Sequence, residues 1–504
     1  MVKIIVNPGN FNIDTHDGVS IRDAILNAGI EIYSPCGGMG ICGKCGAKIL
    51  SGKINGDVDE DGYFLTCSSI PLSDCEIEIS SIPDDTKAET SIAVGDVLLK
   101  SDSSLGLAVD LGTTNIICAL IDLDTKQVLE TFSFRNPQTK YGDDVVSRIS
   151  FAAEKDGLEI LKRAVLETID DVINGIFREL PQHRKRLTEI VFSGNSTMNH
   201  LLLGISPSSL GQAPYEPAFK YIDSGEISDR LNMWFDDVDV TVLPNIAGFV
   251  GGDTVAGIIA TGIYKSEKLR LFIDIGTNGE IVVGNKNRML ATSAAAGPAF
   301  EGGRIECGMR AGPGAINHVS IDNGKASFTT IDGIEPNGIC GSGLFEAVGS
   351  MLRAGLLDSS GKFTSTVEEK RFYLTEERGG VGIYISEKDI SELQLAKAAI
   401  RAAVELLLSE YRIDLDDVDE IIVAGAFGFN LRPDDIRAIG LLPDFDYGKL
   451  RLAGNTSLKG ALMVLTDDEA RAEMVKISSN VEFIELAGKS GFREKFVEAL
   501  TFNT

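Results

Sequence analysis

Apolar and polar positions change period along the chain, and each change marks an element. Lys3–Pro8 (KIIVNP) and Asn10–Asp14 (NFNID) alternate around a Pro-Gly-Asn turn, which predicts a pair of strands. Ser20–Ile30 (SIRDAILNAGI) carries its apolar residues at helical spacing, with Ser20 as N-cap and Gly29 near the stop. Tyr63–Cys67 and Cys75–Ser80 (CEIEIS) read as further strands, and residues 81–104 show no long period and read as a linker. Beyond them, two apolar strand pairs stand out, LGLAVDLGTTNIICALID (105–122) and LRLFIDIGTNGEIVVGNK (269–286). A later apolar strand runs into a glycine turn at EIIVAGAFGFN (420–430).

Composition narrows the partners. The 504 residues are too many for one ordinary core. Lys and Arg number 47 against 74 Asp and Glu, a net charge of −27 that repels nucleic acid and anionic membranes. No apolar run reaches about 18 residues, the length that would span a bilayer, and the N-terminus lacks a secretory pattern. The expectation is a cytoplasmic chain whose macromolecular partner is a protein.

Four of the eight cysteines crowd together as Cys36, Cys42, Cys45 and Cys67. Zinc sites usually pair two short Cys-x2-Cys clips; here three cysteines share one loop, spaced C-x5-C-x2-C, and the fourth comes later. That asymmetry fits a [2Fe–2S] loop better, close to the plant-type C-x4-C-x2-C pattern with one residue added. Gly37, Gly38, Gly40, Gly43 and Gly46 leave room for backbone N–H groups to turn toward sulfide. With its strands and helix this segment reads as a small β-grasp ferredoxin, although the gap before Cys67 is short. Cys75, in alternation with Ile77 and Ile79, reads as a buried hydrophobe.

The two strand pairs are an internal repeat, apolar-Asp-apolar-Gly-Thr followed by a second apolar strand. One such motif is an ordinary Asp-Gly turn. Two of them suggest hairpins whose turns offer N–H and hydroxyl groups to phosphate, with Asp110 and Asp274 at the strand ends facing Mg2+. No G-x4-G-K-[ST] loop is present, which excludes a P-loop nucleotide site. Gly341-Ser342-Gly343 enters an apolar-periodic helix, an arrangement that suits an anion.

The repeat resembles the phosphate motifs of the superfamily that joins actin, the large heat-shock chaperones, sugar kinases and acetate kinase. The turn at Gly425 and Gly428 stands where that superfamily packs adenosine. A [2Fe–2S] ferredoxin ahead of such an ATPase resembles the reductive activators of corrinoid proteins over nearly the whole chain. GNSTMNHLLLG, GGD, AGPAFEGG, GICGSGL and GAFGFN stand in that family's order. One departure is that only residues 81–104 separate ferredoxin from ATPase, where some relatives carry an extra domain.

The resemblance implies a multi-domain α/β chain: a ferredoxin-like domain over 1–80, a linker over 81–104, and ATPase lobes over 105–265 and 266–504. It implies ATP-dependent reduction of a methyltransferase's corrinoid protein from Co(II) to Co(I), the electron coming through the cluster from a low-potential donor. A plant-type cluster sits near about −400 mV, and ATP helps only through a conformational change with differential affinity for two states. The implied cofactors are a [2Fe–2S] cluster on Cys36, Cys42, Cys45 and Cys67, ATP, and Mg2+ facing Asp110 and Asp274. Gly112, Thr113, Thr114, Gly276, Thr277 and Asn278 would meet phosphate, with Gly341 and Ser342 as a further contact. Gly425 and Gly428 would line the nucleoside. Asp253 has two readings, as the residue orienting the attacking water or as a helix cap. His200 reads as packing, and His16, His183 and His318 show no constellation. Trp234 has two readings, as a core anchor or as part of a partner-contact patch with its neighbours. Rival readings are a small-molecule kinase with a redox-sensing ferredoxin domain, an activator of a radical dehydratase, and a redox-sensing binding module. The oligomeric state, a homodimer included, is not fixed by the sequence.

Overall fold

Alternation becomes pairing at the N-terminus. The computed structural model describes residues 2–7, 11–16, 18–28, 30, 32, 45–59, 62–79, 103–178, 181–231, 234–235, 237–322, 324–365, 367, 370–375, 382–425, 431–486, 488–489 and 491–503. Strands β1 (Val2–Asn7) and β2 (Phe11–Thr15) are antiparallel, helix α1 spans Ile21–Asn27, and β3 (Gly46–Ser51), β4 (Tyr63–Leu65) and β5 (Cys75–Ile79) complete a sheet ordered β2-β1-β5-β3-β4. The central pair β1 and β5 is parallel. The inward residues Ile4, Val6, Ala47, Phe64, Cys75, Ile77 and Ile79 meet Ile21 and Ile25 of α1 in a core of their own. Ser20 caps α1 by accepting from Asp23 N at 3.1 Å, as its position predicts. The strand expected over Tyr63–Cys67 stops at Leu65, and Thr66–Ser68 turn into a 3-10 helix that carries Cys67 away from the sheet. Cys75 is buried as expected, and burial with Asp74 beside it pushes its thiol up to about 11. The linker expected at 81–104 lies, apart from Ser103 and Ser104, outside the described residues.

The internal repeat is also a repeat of topology. In the first copy β6 (Leu105–Leu111) and β7 (Asn115–Asp122) form the hairpin and β8 (Val128–Arg135) continues it. Then come α2 (Val145–Ala152), α3 (Gly157–Ile176), β9 (Leu187–Gly194), α4 (Ser196–Leu203) and β10 (Asp239–Val242). The sheet runs β8-β7-β6-β9-β10, with β6 antiparallel to β7 and parallel to β9. Leu161, Val165, Ile169, Val172 and Ile176 line one face of α3 and cover the sheet. Trp234 packs against this core, and His200 is buried, Nδ1 donating to Ser196 O at 2.6 Å and Nε2 accepting from Ala218 N at 3.0 Å. His200 packs as expected, and Trp234 is partly buried against the core.

In the second copy α5 (Gly252–Thr261) precedes the hairpin β11 (Arg270–Ile275) and β12 (Gly279–Asn285), continued by β13 (Arg288–Ala294). A small sheet of β14 (Ala315–Asp322), β15 (Lys325–Thr330) and β16 (Gly338–Ile339) follows, then α6 (Gly341–Arg353) and α7 (Glu387–Tyr411). Next are β17 (Glu420–Ala424), α8 (Pro433–Ile439), β18 (Leu450–Gly454) and β19 (Val481–Phe483). The large sheet runs β19-β13-β12-β11-β17-β18, the first copy's order with β19 added at the edge. Again the central strand is antiparallel to its hairpin partner and parallel to a later strand. Helix α7 starts at a capping box between Ser386 and Asp389 and buries Leu393, Ala396, Ile400, Ala403 and Leu407 against the second core. Contacts divide the chain into two compact units, 1–252 with 464–467, and 253–463 with 468–504. Among the described residues no helix is long and apolar enough to cross a membrane.

Candidate functional site

The residues expected to carry the chemistry fall in three groups. In the ferredoxin-like sheet, Cys45 enters β3 with its side chain buried, and its carbonyl accepts from both Thr66 N at 3.0 Å and Thr66 Oγ1 at 2.9 Å. That double bond brings the segment carrying Cys67 against Cys45. A buried thiol beside a half-buried one, joined through a short polar turn, fits two thiolate ligands of an iron–sulfur cluster. Cys36 and Cys42 lie outside the described residues.

The first Asp-Gly-Thr turn closes the β6–β7 hairpin, with Asp110 half-buried at the end of β6. Gly112 admits no side chain, since a Cβ there would lie 2.5 Å from Asn115 O. Thr113 Oγ1 accepts from Asn195 Nδ2 at 2.9 Å, and Asn195 also caps α4 by accepting from Met198 N at 3.0 Å. The segment GNSTMNH thus meets the first Asp-Gly-Thr turn through its first asparagine. Cys118, fully buried on β7, has its thiol pushed far up by burial and by Asp110, which leaves it a packing residue.

The second turn closes the β11–β12 hairpin. Gly276 N donates to Asn278 O at 2.9 Å, and Thr277 Oγ1 donates to Glu301. Asp274 is half-buried on β11, and Gly425 lies directly against it. Gly425 has φ +96°, and a Cβ there would sit 2.3 Å from Ile275 O and 2.8 Å from Asp274 Oδ1. Gly428 is outside the described residues. Asp274 and Glu280 are cross-strand partners, so their side chains share one face of the sheet. Glu280 is buried and hydrogen-bonded by Ser293 Oγ at 3.4 Å. Burial first, then the charges of Asp253 and Asp274, push its carboxyl well above the usual carboxylate range. These carboxylates suit Mg2+, which takes one or two carboxylates and fills its shell with phosphate and water. Among the described residues no three His, Cys, Asp or Glu side chains are arranged to hold a metal by themselves.

Asp253 is inside the first turn of α5, which Gly252 opens, so it is not the cap that one reading expected. Its carboxylate accepts from Thr254 N at 2.7 Å. Gly341 begins α6, but a Cβ there would lie 1.7 Å from Phe300 O, so this glycine is required by packing. Ser342 is half-exposed and donates to Asn317 O at 3.2 Å. His318, expected to stand alone, instead lies 3.0 Å from Glu346, a buried carboxylate that Arg432 and Val319 N also engage. The contact joins three elements distant in sequence, which no local pattern reveals.

Comparison with known proteins bears on all three groups. Residues 4–72 match the 2Fe-2S iron-sulfur cluster binding domain, residues 105–266 the RACo middle region, and residues 268–504 the C-terminal domain of RACo, its ASKHA domain. The corrinoid activation enzyme RamQ of Eubacterium limosum is 36% identical over 419 residues, covering 79% of this chain and 70% of that one. The chain belongs to the reductive activators of corrinoid proteins. A solved member of this family, a reductive activator for corrinoid, iron-sulfur protein, superposes with a TM-score of 0.72 at 32% identity, over 100% of this chain and 98% of that one. The [Co(II) methylated amine-specific corrinoid protein] reductase of Methanosarcina barkeri is 27% identical over 435 residues, 79% of this chain and 77% of that one. The matched domain models support a [2Fe–2S] cluster and ATP as cofactors, and Mg2+ is consistent with them. Sequence reasoning missed Glu280, although counting outward from the turn pairs it with Asp274. It also missed Asn136 and Arg148, whose contacts with the first turn are non-local.

Proposed function

We propose that this chain couples ATP hydrolysis to the one-electron reduction of a methyltransferase's corrinoid protein, Co(II) to Co(I), in the cytoplasm. The observation that carries the reading is the union, in one chain 36% identical to a corrinoid activation enzyme, of a [2Fe–2S] domain with a duplicated Asp-Gly-Thr ATPase. When bound, the cluster supplies a low-potential one-electron carrier, replenished by an external donor. Residues 1–80 hold it through Cys36, Cys42, Cys45 and Cys67. Residues 105–265 and 266–504 bind ATP. The turns Gly112–Thr114 and Gly276–Asn278 take phosphate, with Gly341 and Ser342 as a further contact. Asp110 and Asp274 face the cation, Asp253 orients water, and Gly425 and Gly428 border the nucleoside. ATP helps because each 100 mV of uphill gap costs about 2.3 kcal/mol per electron, and a ligand shifts an equilibrium by its differential affinity for the two states.

The test mixes reduced protein with Co(II) corrinoid proteins and follows the visible spectrum. Reduction is expected only with ATP, Mg2+ and an intact cluster, and Asp274→Ala should lose it. Co(II) partner, and not methylated partner, should raise ATP turnover, because coupling between sites is reciprocal. Equal reduction without ATP would sink the proposal. So would turnover indifferent to every corrinoid protein yet raised by a small hydroxyl compound, which is the kinase outcome.

A further inference from the structure

All three carbonyls of the first phosphate turn are held from inside the lobe. Asn136 Nδ2 donates to Gly112 O at 2.7 Å, Arg148 Nη2 donates to Thr113 O, and Asn136 N donates to Thr114 O at 2.9 Å. Neither residue belongs to the Asp-Gly-Thr motif, and both are fully buried. Each is fixed in turn. Asn136 Oδ1 accepts from Gln138 N at 2.9 Å. Arg148 Nε donates to Gly142 O at 2.7 Å, and its Nη1 donates to Gln138 Oε1 at 3.1 Å and contacts Met198 Sδ at 3.3 Å. Gln138 Nε2 donates to Leu161 O on α3 at 2.9 Å, so the brace is anchored in the lobe's core.

The peptide unit is planar and trans, so its C=O and N–H point to opposite sides. Drawing three successive carbonyls inward turns the amides of Thr113, Thr114 and Asn115 outward. Successive amides on one side of a turn make an anion-binding concavity. Donors fixed before the ligand arrives cost little reorganisation when it binds. The guanidinium behind the turn adds a buried positive charge, felt strongly where water is excluded.

We infer that Arg148 and Asn136 are positioning residues for nucleotide phosphate: they hold the Gly112–Thr114 turn in its phosphate-receiving conformation without touching the ligand. The inference rests on the ATPase reading of that turn. It predicts a split that a general loss of packing would not produce. With Asn136→Ala or Arg148→Lys, affinity for MgATP falls while affinity for adenosine holds, because the adenosine contact belongs to the Gly425 turn.

The test titrates full-length protein with MgATP and with adenosine by calorimetry. Asn136→Ala removes one neutral hydrogen bond and should weaken MgATP about five- to tenfold; Arg148→Lys removes charge-assisted bonds and should weaken it about tenfold or more. Adenosine affinity should stay within about twofold in both. Asn136→Ala keeps its backbone bond to Thr114 and serves as the milder variant if Arg148→Lys folds poorly. Equal losses for MgATP and adenosine would reduce the brace to a packing feature and overturn the inference, as would unchanged MgATP affinity in both variants. If the parent protein binds no MgATP, the ATPase reading itself fails, a different result from parent binding that the variants leave unaltered.

Discussion

Gly425 is the residue that packs most closely on the carboxylate of the second Asp-Gly-Thr turn. Its φ of +96° is one that L side chains rarely adopt, and a Cβ would press on Ile275 O and the Asp274 carboxylate. Gly425→Ala must therefore move either the end of β17 or Asp274. A strained backbone position costs about 1–3 kcal/mol, and in the proposed ATP site a shift of the carboxylate would be felt by the cation that Asp274 is proposed to face. We expect MgATP affinity to drop about tenfold or more, equivalent to about 1.4 kcal/mol or above, with secondary structure retained in circular dichroism. Unchanged affinity would show that the Gly425 turn does not border the site. At this scale the sequence discloses residues that sit in patterns. Asp110, Asp274 and Gly425 are visible because a motif repeats or because glycine follows an apolar strand. Glu280 is hidden inside EIVVG, which reads as a plain strand, and Arg148 is hidden because its partners are 35 residues away on the turn and 10 away on Gln138.

The long helix α7 shows how an element carries a titrating group without using it chemically. Lys397 is fully buried on it, donates to Thr501 O, and stacks its ammonium 5.3 Å from the Phe502 ring. Burial, with Arg401 adding, brings its pKa down to about 7, against the pull of Glu405. The unfolded chain holds this proton up to about pH 10.4 and the folded chain releases it near 7. Between those values the unfolded state binds more protons, so stability rises with pH across the window and the penalty is fully present below it. Thermal unfolding between pH 7 and 9 should give the parent protein a rising midpoint relative to Lys397→Met, which lacks the titration. Parallel curves for the two proteins would refute the assignment. Elements are also where the sequence reading strays. The strand expected through Cys67 ends two residues early, because Thr66 turns its N–H and hydroxyl back to Cys45 and leaves the sheet. The hairpins and the strands that flank them are legible because their apolar runs repeat.

Across the whole molecule, the hydrophobic clusters are separate. The ferredoxin-like sheet has its own core of Ile4, Val6, Ile21, Phe64 and Ile77, distinct from the cores of the two ATPase lobes. Cys45→Ser should therefore lower bound iron and sulfide from about two each per chain, the content of a [2Fe–2S] centre, and leave MgATP affinity within about twofold. A matching loss of nucleotide binding would mean that the cores are not independent. The domain types were legible from two clusters of chemistry, the cysteine loop and the repeated Asp-Gly-Thr. The sheet order was not, because strand neighbours such as β9 and β17 are set by packing far along the chain.

The duplication has not stayed symmetrical. Across the first hairpin Asp110 faces Ile117; across the second Asp274 faces Glu280, with the charge of Asp253 close enough to act on it. The first copy offers its carboxylate an apolar neighbour, and the second sets Asp274 beside a buried acid whose charged form burial and the neighbouring carboxylates disfavour. The two copies are therefore not interchangeable parts: only the second sets a buried acid, Glu280, beside its Asp-Gly-Thr carboxylate.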